Sequence, residues 1–452
     1  MTTTRTYTNA TSTATALKFT YTVQAGDNDA DGITTATTVD LNGSTLKDSF
    51  GNNVGLTFTA PTLTGVLVDT TPPTLTAVAL ASNNVNPLWA KVGDTVTVTF
   101  TASEAIATPT ATIAGRAATV APVSGNTYTA TVAMGAGDTE GAVTFSLTFT
   151  DVTGNTGTAV TATTNASAVT FDQTAPVITS APTAGATYKS AFTYTATASG
   201  SAVSFGAAGL PAGLALNSAT GAITGAATIS GSFTLALSAT DAAGNVGTAN
   251  VALTVAKVNL TVNGVTVANK VYDQTLTATP NFANAALVGV VSGDNVTPVS
   301  AAATASFATK VVATGKTVTI AGLTLGGADA SNYTVTQPTT TADITARNLT
   351  VSGATAANKA YDTNRTATLS FGTASLVGVV SPDVVTLVSG AAVGTFADAN
   401  AGLNKGVTIT GLTLGDTDSV NYSLTQPTAT ADIAPAEVSI AITNLMLIVT
   451  TR

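Results

Sequence analysis

Neither cysteine nor histidine occurs among the 452 residues. Their absence removes disulfides and thiol chemistry, the Ser-His-Asp and Cys-His nucleophile systems, the common zinc sites and any ordinary histidine pH switch. Charge is scarce as well, at 9% of residues, and the 15 basic residues are scattered through a chain of net charge −9. Nucleic acid and anionic membrane surfaces are therefore poor partners. No run approaches the roughly 20 apolar residues of a membrane-spanning helix; the longest candidate, 445–449, is far too short. Glutamate stands only at 104, 140 and 437, so no carboxylate pair for glycoside chemistry is suggested.

What is present is Thr, Ala, Val, Leu and Ile, punctuated by 40 Gly and 15 Pro. That mixture favours short strands with small, half-buried side chains and argues against long helices. The length exceeds what one core supports, so several domains are expected.

An internal repeat organises the C-terminal half. Residues 257–345 and 346–434 are one block written twice without a gap: Tyr272-Asp273 returns as Tyr361-Asp362 (361 − 272 = 89), Asn332-Tyr333 as Asn421-Tyr422, and Asp343 as Asp432. A period of that length is a domain, since solenoid and propeller units are shorter. A looser echo runs through the N-terminal half. The turn Asp48-Ser-Phe-Gly-Asn52 returns as Asp151-Val-Thr-Gly-Asn155 (151 − 48 = 103), and the linker at Asp69 returns at Asp172. The predicted division is a partial domain 1–69, then 70–173, 174–256, 257–345 and 346–434, with 435–452 as a tail or the start of a further domain. In the second domain, alternation predicts strands near 75–80, 94–100, 128–134 and 143–149, the spacing of a β-sandwich. The predicted fold class is all-β: an elongated tandem array of Ig-like β-sandwich domains.

The Asp-Thr-Thr-Pro-Pro linker at 69–73, the strand Thr97-Val-Thr-Phe-Thr-Ala-Ser-Glu-Ala105 and the Asp-x-x-Gly-Asn turn resemble bacterial Ig-like repeats of surface adhesins. Gly209-Leu-Pro-Ala-Gly-Leu-Ala-Leu-Asn217 with Thr220-Gly-Ala-Ile-Thr-Gly225 is similar to the cadherin-like family named putative-Ig. The Asn-Lys-x-Tyr-Asp, Gly-Leu-Thr-Leu-Gly, Asn-Tyr and Gln-Pro elements of the two 89-residue blocks resemble the YDG-type repeat of bacterial surface proteins. The Gly usual after Tyr-Asp is Gln274 in one block and Thr363 in the other.

The candidate chemistry is calcium. Asp27-Asn-Asp29-Ala-Asp31-Gly32 has the alternating carboxylates of a calcium loop opening, although Thr38 stands where an EF-hand places its last ligand. Asp48/Asn52, Asp151/Asn155 and Asp241/Asn245 sit in turns near domain ends, with Asp69 and Asp172 in the linkers, and such oxygens could hold calcium at junctions. The alternative is that Asp-x-x-Gly-Asn is only a tight turn, Asp capping the backbone and Gly-Asn taking positive φ. Tyr272 and Tyr361 are expected to pack in cores with surface hydroxyls, rather than stack on ligands. Trp89 is expected over a sandwich end, with sugar stacking as the alternative. Gly315-Lys-Thr317 reads as a strand-entry turn.

The expected function is the non-catalytic stalk of an extracellular adhesin or matrix protein at the bacterial cell surface. Its partner would be a glycan or protein of a host or neighbouring cell, with no nucleic acid and no membrane span. Met1-Thr-Thr-Thr-Arg-Thr6 lacks the apolar core of a secretory signal, so a fragment of a longer protein is expected. Two alternatives stay open. One is a filament subunit in which the tail of one molecule completes the first domain of the next head to tail; the other is a set of accessory modules of a secreted hydrolase.

Overall fold

The computed structural model describes residues 8–9 and 17–441. These residues are all-β apart from two single-turn 3-10 helices, Ala330–Asn332 and Ser419–Asn421. No helix among them is long and apolar enough to cross a membrane.

Strict alternation makes the second domain. Thr95–Ala102 reads Thr-Val-Thr-Val-Thr-Phe-Thr-Ala, and Val96, Val98, Phe100 and Ala102 all point inward, because successive strand side chains take opposite faces. This strand sits inside a four-stranded antiparallel sheet between Leu75–Ser82 and Thr127–Ala133, with Thr119–Ser124 at the edge. The opposing layer pairs Phe145–Thr148 with Thr110–Ile113. Ile113, Phe145 and Leu147 from that layer and Val98 and Phe100 from the first share one core. Trp89 is half-buried on the two-residue strand Trp89–Ala90, which pairs in parallel with Thr170–Phe171 at the end of the domain.

The third domain stacks a four-stranded sheet on a three-stranded one. The long hairpin Gly231–Thr240/Val246–Ala256 is the centre of the first, and Ala191–Thr195, Ala222–Ala226 and Leu214–Leu216 form the second. The two 89-residue blocks fold alike. In each, a five-stranded sheet is centred on Ala313–Ala321 or its equivalent Gly402–Thr410, and a three-stranded sheet on Val258–Asn263 or Arg347–Ser352. Gly315-Lys-Thr317 lies at a bulge inside Ala313–Ala321 rather than before it.

Residues 17–69 have no packed core. Isolated antiparallel bridges, Asp29 to Val68, Ile33 to Leu63, Thr38 to Thr57 and Lys47 to Asn53, hold them as a long open hairpin closing at the turn 48–52. Phe19, Leu67 and above all Phe50, 90% exposed, face outward. The apolar run 445–449 lies outside the described residues.

The chain exposes 26104 Å², where a compact monomer of 44.3 kDa exposes about 15,500 Å². Several separate cores and an open first segment raise the exposed area above that value.

Candidate functional site at the domain junctions

Two kinds of joint connect the domains, and the sequence-predicted residues fall mainly on them. The first kind locks the linkers. Asp151 Oδ1 accepts the backbone N–H groups of Thr153, Gly154 and Asn155 at 2.7–2.8 Å, and its Oδ2 accepts Asn155 Nδ2 at 2.7 Å. The amide of Asn155 also donates to the backbone carbonyl of Asp69 at 2.9 Å, tying the end of the second domain to the preceding linker. The third domain repeats the lock: Asn245 Nδ2 bonds Asp241 Oδ2 at 3.0 Å and the carbonyl of Asp172 at 2.9 Å. Burial by itself would raise the Asp151 carboxyl, but the bonds from Asn155 and Thr153 outweigh it and hold it at about 2. In all three turns Gly takes the positive φ (Gly51, Gly154 and Gly244), while Asn52, Asn155 and Asn245 do not.

Sequence reasoning missed the glycines two residues after each locking Asn. A Cβ on Gly157 would stand 2.7 Å from the carbonyl oxygen of Pro73, and one on Gly247 only 1.6 Å from that of Pro176. At Gly247 the linker backbone occupies the space a side chain would need, and at Gly157 the Phe149 ring, 2.2 Å from such a Cβ, fills it together with the linker. The spacing Asp-x-x-Gly-Asn-x-Gly, shared by 151–157 and 241–247, was the available signal. Asp48/Asn52 in the first segment makes the same turn, with Asn52 Nδ2 on Asp48 Oδ2 at 3.1 Å, at an exposed tip. Across the next joint, Lys91 Nζ and Asn84 Nδ2 donate to the carbonyls of Gly244 and Ala243 at 2.8 and 2.9 Å.

One group of three carboxylates converges among the described residues: Asp69, Glu104 and Asp151, with oxygens within 4.8 Å of one another. Glu104 was not singled out from sequence. Burial pushes its carboxyl up, and the negative charges of Asp69 and Asp151 add to this. Asp27, Asp29 and Asp31 do not converge. Asp29 Oδ1 caps the N–H of Gly32 at 2.8 Å, Asp27 Oδ2 accepts that of Gln24 at 2.7 Å, and Asp31 is exposed. Asp172 and Asp241 belong to no group of three.

The second kind of joint is an aromatic socket. Between the third and fourth domains, the rings of Tyr188 and Tyr333 meet edge to face at 5.5 Å. Asp294 there pairs with Lys189 and accepts the Tyr333 hydroxyl at 2.5 Å. Between the fourth and fifth, Tyr272 and Tyr422 meet at 5.5 Å and 79°, and both hydroxyls donate to Asp383 Oδ2 at 2.8 and 2.7 Å. Gln274 donates to the other oxygen of Asp383. Asn332 and Asn421 are buried, and their amide oxygens accept the N–H of Ser230 and Val312 in the preceding domain at 2.8 and 3.0 Å. Burial acts to raise the Asp383 carboxyl, but the bonds from Gln274, Tyr422 and Tyr272 prevail and hold it low. Burial, then the bond to Asp294, pushes Tyr333 up to about 12. The hydroxyl of Tyr272 is thus satisfied by the next domain and not at the surface, as the sequence suggested. Tyr361, its counterpart, is exposed rather than packed in a core as the sequence suggested, because no following domain covers it among the described residues.

The YDG domain family matches residues 255–342 and 345–431, and the family described as Putative Ig domain matches residues 175–256. No curated protein matches. Among solved structures, fibronectin(III)-like modules of Clostridium thermocellum CbhA are 15% identical over 40% of this chain and 93% of that one, with a TM-score of 0.24. A C-terminal fragment of intimin, solved with the intimin-binding domain of its translocated receptor, is 15% identical over 42% and 67%, at 0.25. Three N-terminal domains of the bacteriophage RB49 outer capsid protein Hoc are 14% identical over 60% and 99%, at 0.24. The chain spans about a fifth of the length of two Bacteroides fragilis structures assigned as α-galactosidases, 29% and 24% identical and covering 19% of this chain, each with a TM-score of 0.17.

Proposed function

We propose that this chain, a Putative Ig domain followed by two YDG domains and preceded by a further β-sandwich, is the non-catalytic stalk of an extracellular adhesin or matrix protein at the bacterial cell surface. The supporting observation is that cores run across the joints. Leu260 and Tyr333 of the fourth domain pack in the core of the third, and Leu349 and Tyr422 of the fifth pack in the core of the fourth. Domains that share buried side chains resist bending, unlike domains on free linkers. A stiff rod fits a spacer that holds a binding partner, glycan or protein, away from a surface. Calcium enters the proposal at Asp69, Glu104 and Asp151, whose hard oxygens and mutual repulsion suit a divalent cation. Both Asp151 oxygens already accept hydrogen bonds, so an ion would use their remaining lone pairs.

Small-angle scattering tests the stalk directly. A compact 452-residue chain would have a radius of gyration of about 22 Å. A value well above that, with a rod-like cross-section, is expected; a compact value would end the stalk reading. A chelator arm decides calcium: loss of metal should loosen the joint at Asp69 and lower the unfolding midpoint of the second domain. The exposed apolar residues of the open segment 17–69 favour a second reading, a filament subunit completed by strands of a neighbour. Concentration-dependent polymers under the same conditions would support it.

A further inference from the structure

The third and fourth domains match different families, yet each ends in the same half-socket. In each, a strand runs parallel to the domain's last strand, and the tyrosine that follows it donates its backbone N–H to the final residue of that last strand: Tyr188 to Ala256 and Tyr272 to Thr345, both at 2.9 Å. One or two residues further on stands the donor to the aspartate of the next domain. Lys189 and Gln274 fill this role on backbones of φ 50° and 68°, a conformation that an L-residue keeps only where its surroundings impose it. A backbone N–H for the buried asparagine, from Ser230 or Val312, completes the acceptor.

The leading faces that fill these acceptors are nearly one surface. Asp294, Asn332 and Tyr333 return as Asp383, Asn421 and Tyr422, and Leu260 returns as Leu349. Around them Leu287, Val290, Val296 and Leu325 join the core shared with the third domain, while Leu376, Val379, Val385 and Leu414, each 89 residues on, join that shared with the fourth. Every one of these positions holds the same residue type in both blocks. The acceptors differ in offering an ammonium or an amide, and either donates to a carboxylate oxygen.

We propose that the end of the third domain around Tyr188, Lys189 and Ser230 is a general acceptor for the leading face of either 89-residue block, so that the fifth domain seats on it directly when the fourth is absent. Lys189 then pairs with Asp383, and Asn421 accepts the Ser230 N–H. The fitting partner is defined by its chemistry, an aspartate beside a buried Asn-Tyr pair and an apolar first strand, and not by its place in the chain. Such exchange does not depend on the protein being an adhesin.

The test removes residues 257–345 from the full chain, joining Ala256 to Ala346, and follows amide hydrogen exchange. Protection of Ser230 is expected to stay within about threefold of that in the natural chain. Asn421→Ala should then speed Ser230 exchange at least about tenfold in the shortened chain and leave it unchanged in the natural one, where Ser230 bonds Asn332. Ser230 exchange that rises tenfold or more on deletion, while Ile409 in the core of the fifth domain stays protected, would mean two domains on a free linker and overturns the proposal. A fifth domain that unfolds in the shortened chain overturns it too, as does an Asn421→Ala change that leaves Ser230 unaffected there. A second pair of variants needs no deletion. In the natural chain Lys189→Gln gives the third domain the amide that the fourth uses and should keep Ser230 protected, whereas Lys189→Glu sets like charges together at Asp294 and should release it. Equal loss of protection in the two would show that the acceptors are not equivalent and overturns the proposal.

Discussion

Asp151 and Gly247 show how single residues hold a joint. With its carboxyl at about 2, below the ordinary 3.8, Asp151 is an anion whose folded form binds protons less readily than the unfolded chain. Its contribution is complete above about pH 4 and disappears as pH falls toward 2. The gap in unfolding midpoint between the natural protein and Asp151→Asn should therefore close over that interval and stay constant above about pH 5. Gly247→Ala places a methyl where the Pro176 carbonyl stands, and overpacking of this kind costs about 1–3 kcal/mol, read as a lower denaturation midpoint of the third domain. The position after Tyr-Asp is equally specific. Both Gln274 and Thr363 have a left-handed backbone there, a conformation costing an L-residue about 1–2 kcal/mol, which explains why the related repeats favour glycine. Thr363→Gly should stabilise by about 0.5–1 kcal/mol after the greater unfolded-state freedom of glycine is subtracted. Gln274→Gly should destabilise, because it also removes the bond to Asp383; thermal melts of the two variants should move in opposite directions. Tyr272→Phe deletes one donor to the half-buried Asp383 and is expected to cost about 1–3 kcal/mol by denaturant titration.

At the scale of elements, alternation was the readable signal. The strand at 95–102 and its neighbours were visible because one face is buried and the other is not, and strand register has a period of two. Much of the repeat signature that reads as a motif is local carpentry. The Gln337 side chain bonds both the N–H and the carbonyl of Leu323, Asn269 pairs with Asp343, and Lys270 pairs with Asp273 at 2.7 Å. Gln426, Asn358 and Lys359 repeat all three. The joints were harder to read. Asp151 and Asn155 were visible as a turn, but the contact of Asn155 with the Asp69 carbonyl joins residues 86 positions apart. Glu104 reaches Asp69 and Asp151 only because three loops meet at one domain end. Likewise Tyr272 and Tyr361 share the Asn-Lys-x-Tyr-Asp motif, and what separates their burial is a neighbouring domain that no local pattern encodes. Asn245→Ala should leave the third domain folded but loosen its linker, raising hydrogen exchange at 172–177 with little change in the domain's own amides.

For the whole molecule, the socket has a direction. In the two sockets among the described residues the unit is finished by the one that follows it, since the first tyrosine comes from the earlier domain and the carboxylate from the later. A chain emerging amino-terminus first from a ribosome or a secretion pore would therefore present a folded unit with an open socket, ready to template its successor. Growth would be vectorial, as in laying bricks on a wet course. Lengthening the rod by gene duplication would then require no new interface, only another copy in frame.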